Sequence, residues 1–259
     1  MRFVSSSPMV VAAPLAIDSG AAPAMLRRDA GYEQRRGQIE TYFDRTAVQA
    51  WARLTSDAPV GRVRASVRAG RDRMRATLLS WLPDDLRGLR VLDAGCGTGA
   101  LAVQAAQRGA QVLAIDLSPT LVKLACERMP VIGNGGSIDF RSGDMLAPEL
   151  GHFDYVVGMD SVIHYETGDA VNVLAGLAQR TRRGLIFTYV PSSPALEVMR
   201  AVGKLFPRGN RSPAVVPIAQ QRLHRRLDTE AALQGWTRAR SERISSGFYT
   251  SHAMELVKR

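Results

Sequence analysis

The sequence has few cysteines and no long apolar run, and each of these absences excludes a class of protein. Its 259 residues contain two cysteines, Cys96 and Cys126, whose positions fit neither a disulfide framework nor the spacing of a metal site. No apolar stretch approaches the roughly 20 residues that a membrane-spanning helix needs. We therefore do not expect an integral membrane protein, and we expect a reducing, cytoplasmic location.

The composition favours a globular protein with one large domain, because 46% of the residues are hydrophobic and 22% are charged. The N-terminal segment differs from the rest. Arg2 and a short apolar stretch resemble a weak signal peptide, but Pro8 and Pro14 interrupt that stretch. We interpret residues 1–34 as a disordered tail rich in alanine, proline and serine.

The net charge of +10 is unevenly distributed along the chain. Residues 1–80 carry 13 arginines against 7 acidic residues, and residues 195–243 carry 10 basic against 4 acidic residues, whereas the segment between them is slightly acidic. Nucleic acid, an anionic membrane surface or an acidic substrate would each suit these basic flanks, and ordinary solvated surfaces would also account for them.

Apolar residues at helical spacing mark residues 35–82 as an N-terminal helical arm. One predicted helix contains Ile39, Tyr42 and Trp51, and a second follows Pro59. Along one face of the second helix lie Arg64, Arg68, Arg71 and Arg75. We interpret this face as solvated, with an anionic docking surface as the alternative.

From Leu89 onward, short apolar strands alternate with helical segments, so residues 83–259 are predicted to form one α/β domain. This alternation is typical of a mostly parallel sheet that is covered by helices and binds ligands at the carboxyl ends of its strands. Ser118 and Pro119 are predicted to begin one of the helices. Residues 238–248 and 251–259 are predicted as two antiparallel strands that complete the sheet, after an insertion at about 195–230.

A glycine-rich turn follows the first predicted strand and contains Asp93, Gly95, Gly97 and Gly99. Glycines at such a turn let the backbone approach a ligand closely. The spacing is D-x-G-x-G-x-G, which differs from the G-x-G-x-x-G of dinucleotide-binding proteins. A carboxylate before the first glycine would repel a pyrophosphate, but it would suit the ammonium group of an amino-acid moiety.

Further acidic residues follow the next two strands. Asp116, followed by Leu117, is placed to accept both hydroxyls of a ribose, and Asp144 is placed to meet an adenine amino group, with Met145 beside the ring. In this order, the motifs resemble those of the Rossmann-like methyltransferases that use S-adenosylmethionine (SAM), over residues 89–190. The alternative is a nucleotide-binding fold for another ligand.

The stretch MDSVIHYE, residues 159–166, follows the fourth predicted strand. In the resembled fold, this position faces the methyl group that is transferred. DNA amino-methyltransferases carry the motif N/D-P-P-Y/F there, and this chain does not. The stretch therefore argues against methylation of nucleic-acid bases, and we expect no nucleic-acid partner.

Several blocks outside the glycine turn resemble the magnesium protoporphyrin IX O-methyltransferase family over residues 35–259. The most specific of them are ETYFDRTAVQAWARLTSDAP, DSVIHYE and LFPRGNRSPAVVP. The resemblance implies methyl transfer from SAM to the ring C propionate of Mg-protoporphyrin IX, in (bacterio)chlorophyll biosynthesis. It implies that magnesium arrives with the substrate, so no protein-bound metal is expected. It also implies contact with the large porphyrin-binding subunit of magnesium chelatase and peripheral association with the photosynthetic membrane.

The resemblance also implies roles for individual residues. Tyr42 and His164 are the expected catalytic residues, Asp160 is expected near the cofactor and Ser161 near the substrate. The basic insertion is expected to form a lid, in which Arg208 and Arg211 would bind the second propionate, because arginine pairs with carboxylates through two hydrogen bonds. A solvated turn is the alternative for these arginines.

Chemistry leaves the role of His164 open. A propionate has a pKa of about 4.3, like glutamate, and is ionised near neutral pH, so a strong general base is unnecessary. His164 would orient the carboxylate, remove a proton from a propionate with a raised pKa, or contact magnesium, and we favour orientation. A structural histidine, and a core position for Tyr42, are the alternatives. For the whole protein, the alternatives are methylation of another small molecule and a non-catalytic porphyrin carrier.

Overall fold

The computed structural model describes residues 30–45, 61–192 and 215–259, and within the first helix it describes the side chains of residues 32–42. In these ranges no helix is long and apolar enough to cross a membrane.

A seven-stranded sheet organises the chain, with strand order β3-β2-β1-β4-β5-β7-β6. Strands β1 to β5 are mutually parallel, whereas β7 runs antiparallel to both β5 and β6. The strands are β1 (Arg90–Ala94), β2 (Gln111–Asp116), β3 (Ser137–Ser142), β4 (Phe153–Gly158), β5 (Thr181–Tyr189), β6 (Trp236–Ser246) and β7 (Tyr249–Lys258). The predicted α/β class and the antiparallel end of the sheet are confirmed.

Helices cover both faces of the sheet. They are α1 (Ala30–Arg45), α2 (Arg62–Ser80), α3 (Ala100–Gln107), α4 (Pro119–Arg128), α5 (Thr167–Gln179) and α6 (Gln220–Thr229). Successive residues of a strand face opposite sides, so Val91 packs with Met74 of α2 and Leu101 of α3, while Leu92 belongs to the core that contains Leu174 of α5 and Leu223 of α6. Continuous apolar strands such as β1 and β4 are therefore buried on both faces.

Local sequence signals explain where several elements begin. The Ser118 side chain accepts a hydrogen bond from the Leu121 amide (3.2 Å) and Pro119 occupies the first turn of α4, as predicted. Gly99 adopts a left-handed conformation (φ 78°) at the start of α3, and a Cβ there would lie 2.7 Å from the Phe140 ring. Glycine at this position thus allows α3 to pack closely on β3.

Helix α1 begins at Ala30, so residues 30–34, which the sequence interpretation assigned to the disordered tail, are helical. The tail boundary was therefore placed too late. The cause is tertiary, because Tyr32 is buried through contacts with residues more than 100 positions away. Helix α2 confirms the second helix of the predicted arm, while residues 46–60 and most of the tail lie outside the described residues.

The end of the predicted lid packs against the domain. Leu223 and Leu227 of α6 are buried in the same core as α5, and the Val216 amide donates to the Ile163 carbonyl (2.8 Å). Within the described part of the chain, the cavity is lined by residues of α1 and α2, by the first turns of α3 and α4, and by the ends of β1 and β2 and the loops after β1 to β4. Residues 215–230 are not among them, and the lid stays a prediction. Residues 193–214, which include Arg208 and Arg211, lie outside the described residues.

Candidate active site

A cavity of about 290 Å³ lies at the carboxyl ends of β1, β2 and β4. This is where an open parallel sheet binds its ligand. The cavity is covered on one side by α1 and α2, which contribute Tyr32, Ile39, Arg68, Arg71 and Arg75 to its lining. The N-terminal arm thus closes over the end of the sheet.

The glycine-rich turn forms the floor of the cavity. Gly95 and Gly97 have positive φ angles (87° and 54°), which glycine adopts at no steric cost. A Cβ at Gly95 would lie 2.5 Å from the Cβ of Ser161, so the backbone after β1 and the loop after β4 are in direct contact. The turn therefore needs glycine for both its conformation and its packing.

Asp93, at the end of β1, is 1% exposed and lines the cavity. Burial raises its pKa to about 7, an effect opposed by a hydrogen bond from the Ala102 backbone and reinforced by the nearby charge of Asp116. Its Oδ2 atom is buried and accepts no hydrogen bond from the residues that the structure describes. An atom of this kind is suited to a cationic or hydrogen-bonding ligand.

Asp116, at the end of β2, accepts hydrogen bonds from the amides of Gly97 (2.8 Å) and Ser118 (2.9 Å). Burial raises its pKa, and these backbone hydrogen bonds oppose the rise. A carboxylate has more acceptor positions than these two bonds use. Its position beside the apolar Leu117 in the cavity wall therefore leaves it able to accept hydroxyl groups from a ligand.

Asp144 links the sheet to α1. It accepts hydrogen bonds from the Tyr32 hydroxyl (2.8 Å), the Arg36 guanidinium (3.2 Å) and the Leu146 amide (2.8 Å). The Tyr32 ring also stacks on Tyr165, with centroids 5.6 Å apart. Burial raises the pKa of Tyr32 well above its usual value, so it stays a neutral hydrogen-bond donor. Asp144 thus has protein partners at the place where an adenine amino group was expected.

The stretch after β4 brings three predicted residues to the cavity, next to the glycine-rich turn. Asp160, Ser161 and His164 all line it, and His164 is 7% exposed at the end of a short 3₁₀ turn, Val162–His164. The Ser161 hydroxyl is buried and has no hydrogen-bond partner among the described residues. The histidine and serine therefore face the same space as the glycine-rich turn.

Most of the predicted site residues meet in this one cavity. Those that line it are Asp93, Gly95, Gly97, Asp116, Leu117, Asp144, Met145, Asp160, Ser161 and His164. Gly99 instead shapes the start of α3. Tyr42 is half-buried near the end of α1 and is outside the cavity lining, where α1 contributes Tyr32 and Ile39.

The interpretation of the arginine face of α2 as solvated is wrong for three of its four members. Arg68, Arg71 and Arg75 line the cavity, whereas Arg64 is exposed. Four arginines at helical spacing give no sequence signal that distinguishes a face turned to solvent from one turned to a cavity. Tyr32 was missed for a similar reason, since it lies in a segment whose composition resembles a tail.

The chain is similar to known methyltransferases over most of its length. A family profile described as the magnesium-protoporphyrin IX methyltransferase C-terminus matches residues 158–258, and a general methyltransferase domain profile matches residues 91–184. A magnesium-protoporphyrin O-methyltransferase of Rhodobacter capsulatus is 48% identical over 225 residues, which are 86% of this chain and 97% of that protein. The chain belongs to the magnesium-protoporphyrin O-methyltransferase family.

Other members of the family agree in sequence and in structure. The magnesium-protoporphyrin O-methyltransferase of Synechocystis is 33% identical over 225 residues, covering 85% of this chain and 95% of that protein. A crystal structure of magnesium protoporphyrin IX methyltransferase from Synechocystis PCC 6803 with bound S-adenosylhomocysteine (SAH) superposes with a TM-score of 0.74. It is 30% identical and covers 86% of this chain and 100% of that one.

The cofactor of this chain is SAM, as in the Synechocystis structures with bound SAM and SAH. The cavity fits such a molecule on its own evidence. The Oδ2 atom of Asp93 is suited to the amino-acid end, and Asp116 beside Leu117 suits a ribose and its base. SAM supplies an electrophilic methyl group on a sulfonium.

Proposed function

We propose that this chain transfers a methyl group from SAM to the ring C propionate of Mg-protoporphyrin IX, giving the monomethyl ester and SAH. The observation that carries the proposal is the placement of His164 and Ser161 in the same cavity as the glycine-rich turn, in a chain 48% identical to a magnesium-protoporphyrin O-methyltransferase. The pathway would be (bacterio)chlorophyll biosynthesis.

His164 would orient the attacking carboxylate. The propionate is already ionised near neutral pH, so orientation contributes more than proton removal. Two hydrogen bonds hold the backbone of the Val162–His164 turn. The Tyr165 amide donates to the Val162 carbonyl (3.2 Å), and the Val216 amide donates to the Ile163 carbonyl (2.8 Å). A histidine with a fixed backbone and 7% exposure is suited to hold one geometry.

The cavity would also favour the reaction by excluding water. A cationic sulfonium and an anionic carboxylate become a neutral thioether and a neutral ester, so charge disappears along the reaction path. Water stabilises the separated ions more than the transition state, and a dry cavity removes that advantage. Helices α1 and α2 would serve this purpose.

Tyr42, on α1, would contact the cofactor or the carboxylate, and Arg208 and Arg211 would bind the second propionate.

A transfer assay tests the proposed function. Purified protein, methyl-labelled SAM and Mg-protoporphyrin IX should give one labelled monoester, identified by chromatography and mass spectrometry. Small carboxylic acids and a quinol serve as competing acceptors. Turnover of those acceptors without ester formation on the porphyrin would instead indicate a methyltransferase for another small molecule, and tight porphyrin binding without any ester would indicate a carrier.

We also propose that this protein is cytoplasmic and associates peripherally with an anionic membrane, through the tip of the β6–β7 hairpin. Phe248 is 77% exposed in the two-residue connection between these strands, and Val63 at the start of α2 is 51% exposed. The tip contacts α2, because a Cβ at Gly247 would lie 2.6 Å from the Ser66 hydroxyl. Exposed arginines on the first turn of α2 and the absence of acidic residues there support an anionic partner.

Sedimentation with lipid vesicles tests this surface. Wild type should bind phosphatidylglycerol vesicles more strongly than phosphatidylcholine vesicles, and Phe248→Ser should reduce binding several-fold. The matched control is Val131→Ser, since Val131 is 97% exposed in the loop before β3, at the opposite edge of the sheet. Equal binding by both variants and wild type would contradict the assignment of this surface.

Contact with the large porphyrin-binding subunit of magnesium chelatase is a further part of the proposal. Its support is the family resemblance, together with a substrate that the chelatase reaction would supply. Purified subunit loaded with Mg-protoporphyrin IX should raise the initial rate of ester formation above that with free substrate. An unchanged rate and no co-sedimentation of the two proteins would contradict direct contact.

A further inference from the structure

Asp160 lies in the loop after β4. Its backbone has a left-handed conformation with φ 54°. This conformation is uncommon for a residue with a side chain, although aspartate adopts it more readily than most. Such a conformation persists only where surrounding contacts hold it. The contacts of Asp160 therefore determine the direction in which the chain leaves the sheet.

The contacts of Asp160 come from three other elements. Its amide donates to the Thr188 hydroxyl on β5 (2.8 Å), which in turn donates to its carboxylate (3.2 Å). Arg71 of α2 forms an ion pair with the carboxylate, and the hydroxyls of Tyr249 (3.2 Å) and Ser251 (3.4 Å) on β7 donate to it. The side chain of Asp160 is 6% exposed, so this ion pair is largely shielded from water.

The network lies directly before the residues that face the substrate. Ser161 follows Asp160 and packs against Gly95, and the turn that ends at His164 begins at the next residue. A change in the backbone of Asp160 would move Ser161 and His164 together. Misplacing a reacting group by about 1 Å reduces a rate by roughly 10²-fold.

We propose that Arg71 and Tyr249 are positioning residues of the methyl-transfer site, which act through Asp160 to fix Ser161 and His164. The inference rests on the proposed function for its kinetic consequence. Under this proposal the carboxylate of Asp160 binds protein side chains. Arg71, on the arginine face of α2, then helps to set the geometry of the site. Tyr249 lies 89 residues from Asp160 in the sequence, so only the fold brings them together.

The principal test is Arg71→Met, with Arg240→Met as its matched control. Arg240 forms an equivalent pair with Glu255, a carboxylate that is 2% exposed on β7 and lies outside the cavity lining. Each variant leaves one buried carboxylate without its arginine, so both should lower the melting temperature. Only Arg71→Met should lower kcat at saturating SAM and porphyrin, by tenfold or more, with the Kd for SAH within threefold of wild type.

Two milder variants cover the case in which Arg71→Met does not fold. Tyr249→Phe removes the hydroxyl but keeps the ring that packs on Gly70, and it should lower kcat by several-fold. Arg71→Lys keeps the charge and should retain more kcat than Arg71→Met. If SAH affinity falls while kcat is retained, the pair binds the cofactor, and the positioning proposal is overturned. A kcat that falls equally in the Arg240→Met control would overturn it as well.

Hydrogen exchange separates this proposal from the proposed function, because it requires no reaction. Amide exchange in residues 161–165 should accelerate at least tenfold in Arg71→Met and stay at the wild-type rate in Arg240→Met. Unchanged exchange in both would overturn the positioning network even in an active enzyme. Faster exchange in Arg71→Met, in a protein that makes no ester, would support the network and overturn the proposed function.

Discussion

At the scale of single residues, the burial of Asp93 predicts that SAH affinity depends on pH. Its pKa of about 7 means that the carboxylate is largely protonated below neutral pH in the free protein. The ammonium group of SAH favours the ionised form, so we expect SAH affinity to fall roughly tenfold between pH 8 and pH 6. Isothermal titration calorimetry across this range measures the change.

The control for this prediction is Asp93→Asn, which should bind SAH more weakly at pH 8 and show little change on going to pH 6. The raised pKa also affects folding. The folded state retains a proton that the unfolded chain, with an ordinary pKa of 3.8, has lost, so the contribution of Asp93 to stability should decrease as pH rises from about 4 to 7. An SAH affinity independent of pH would show that Asp93 does not meet the ammonium group.

Gly95 offers a second prediction at the same scale. Gly95→Ala should lose stability through its positive φ and should also displace Ser161, so SAH affinity and kcat should both fall at least tenfold. Gly88→Ala is the matched control, because Gly88 has a similar φ of 74° but no atom within 4 Å of the added Cβ. Thermal unfolding should show that both variants are destabilised, Gly95→Ala more than Gly88→Ala, and calorimetry should show weaker binding only for Gly95→Ala. Normal SAH binding by Gly95→Ala would mean that the cofactor does not approach this turn.

Sequence reasoning located those residues whose positions are encoded locally. Asp93, Gly95 and Asp116 lie at or just after the ends of strands, and a parallel sheet brings strand ends to one edge. Tyr32, Arg71 and the hydroxyls of β7 reach the same edge through tertiary packing, for which the sequence has no comparable signal. For that reason the floor of the cavity was predicted and its walls were largely missed.

At the scale of elements, α1 contacts the rest of the domain through Tyr32, Arg36 and the buried Ile39. Tyr32 stacks on Tyr165 and donates to Asp144, and Arg36 pairs with the same carboxylate. We expect Tyr32→Ala to release α1, so that hydrogen exchange in residues 32–42 accelerates about tenfold or more while exchange in β4 and β5 is unchanged. The removal of one stacked ring and one hydrogen bond, each worth about 1 kcal/mol, accounts for this magnitude.

Glu40→Ala is the control for this experiment, because Glu40 is exposed on the same helix. It should leave the exchange of α1 close to the wild-type rate. If Tyr32→Ala also leaves exchange unchanged, α1 is held by contacts other than Tyr32. The same element explains the misplaced tail boundary, since α1 begins where tertiary contacts begin and not where the composition changes.

At the scale of the whole molecule, the carboxyl ends of the strands form the site, and α1 and α2 cover it. The parallel direction of the strands was predictable because buried strands and amphipathic helices alternate regularly from β1 to β5, whereas the order of the strands was not predicted. The coverage of the cavity by α1 and α2 was not predictable. Helical periodicity shows which face of a helix is apolar, but it does not show which element that face packs against. The basic charge of α2 likewise proved to be divided between a cavity wall and an exposed first turn.

The central claim is that His164 orients a porphyrin carboxylate in this cavity. We would measure it by single-turnover methyl transfer from labelled SAM to Mg-protoporphyrin IX, with wild type, His164→Ala and His152→Ala. His152 is an exposed histidine at the other end of β4, and its variant should match wild type. We predict a labelled monoester, formed about 100-fold more slowly by His164→Ala, with SAH affinity preserved. Equal rates for all three proteins would contradict the account and return His164 to a structural role.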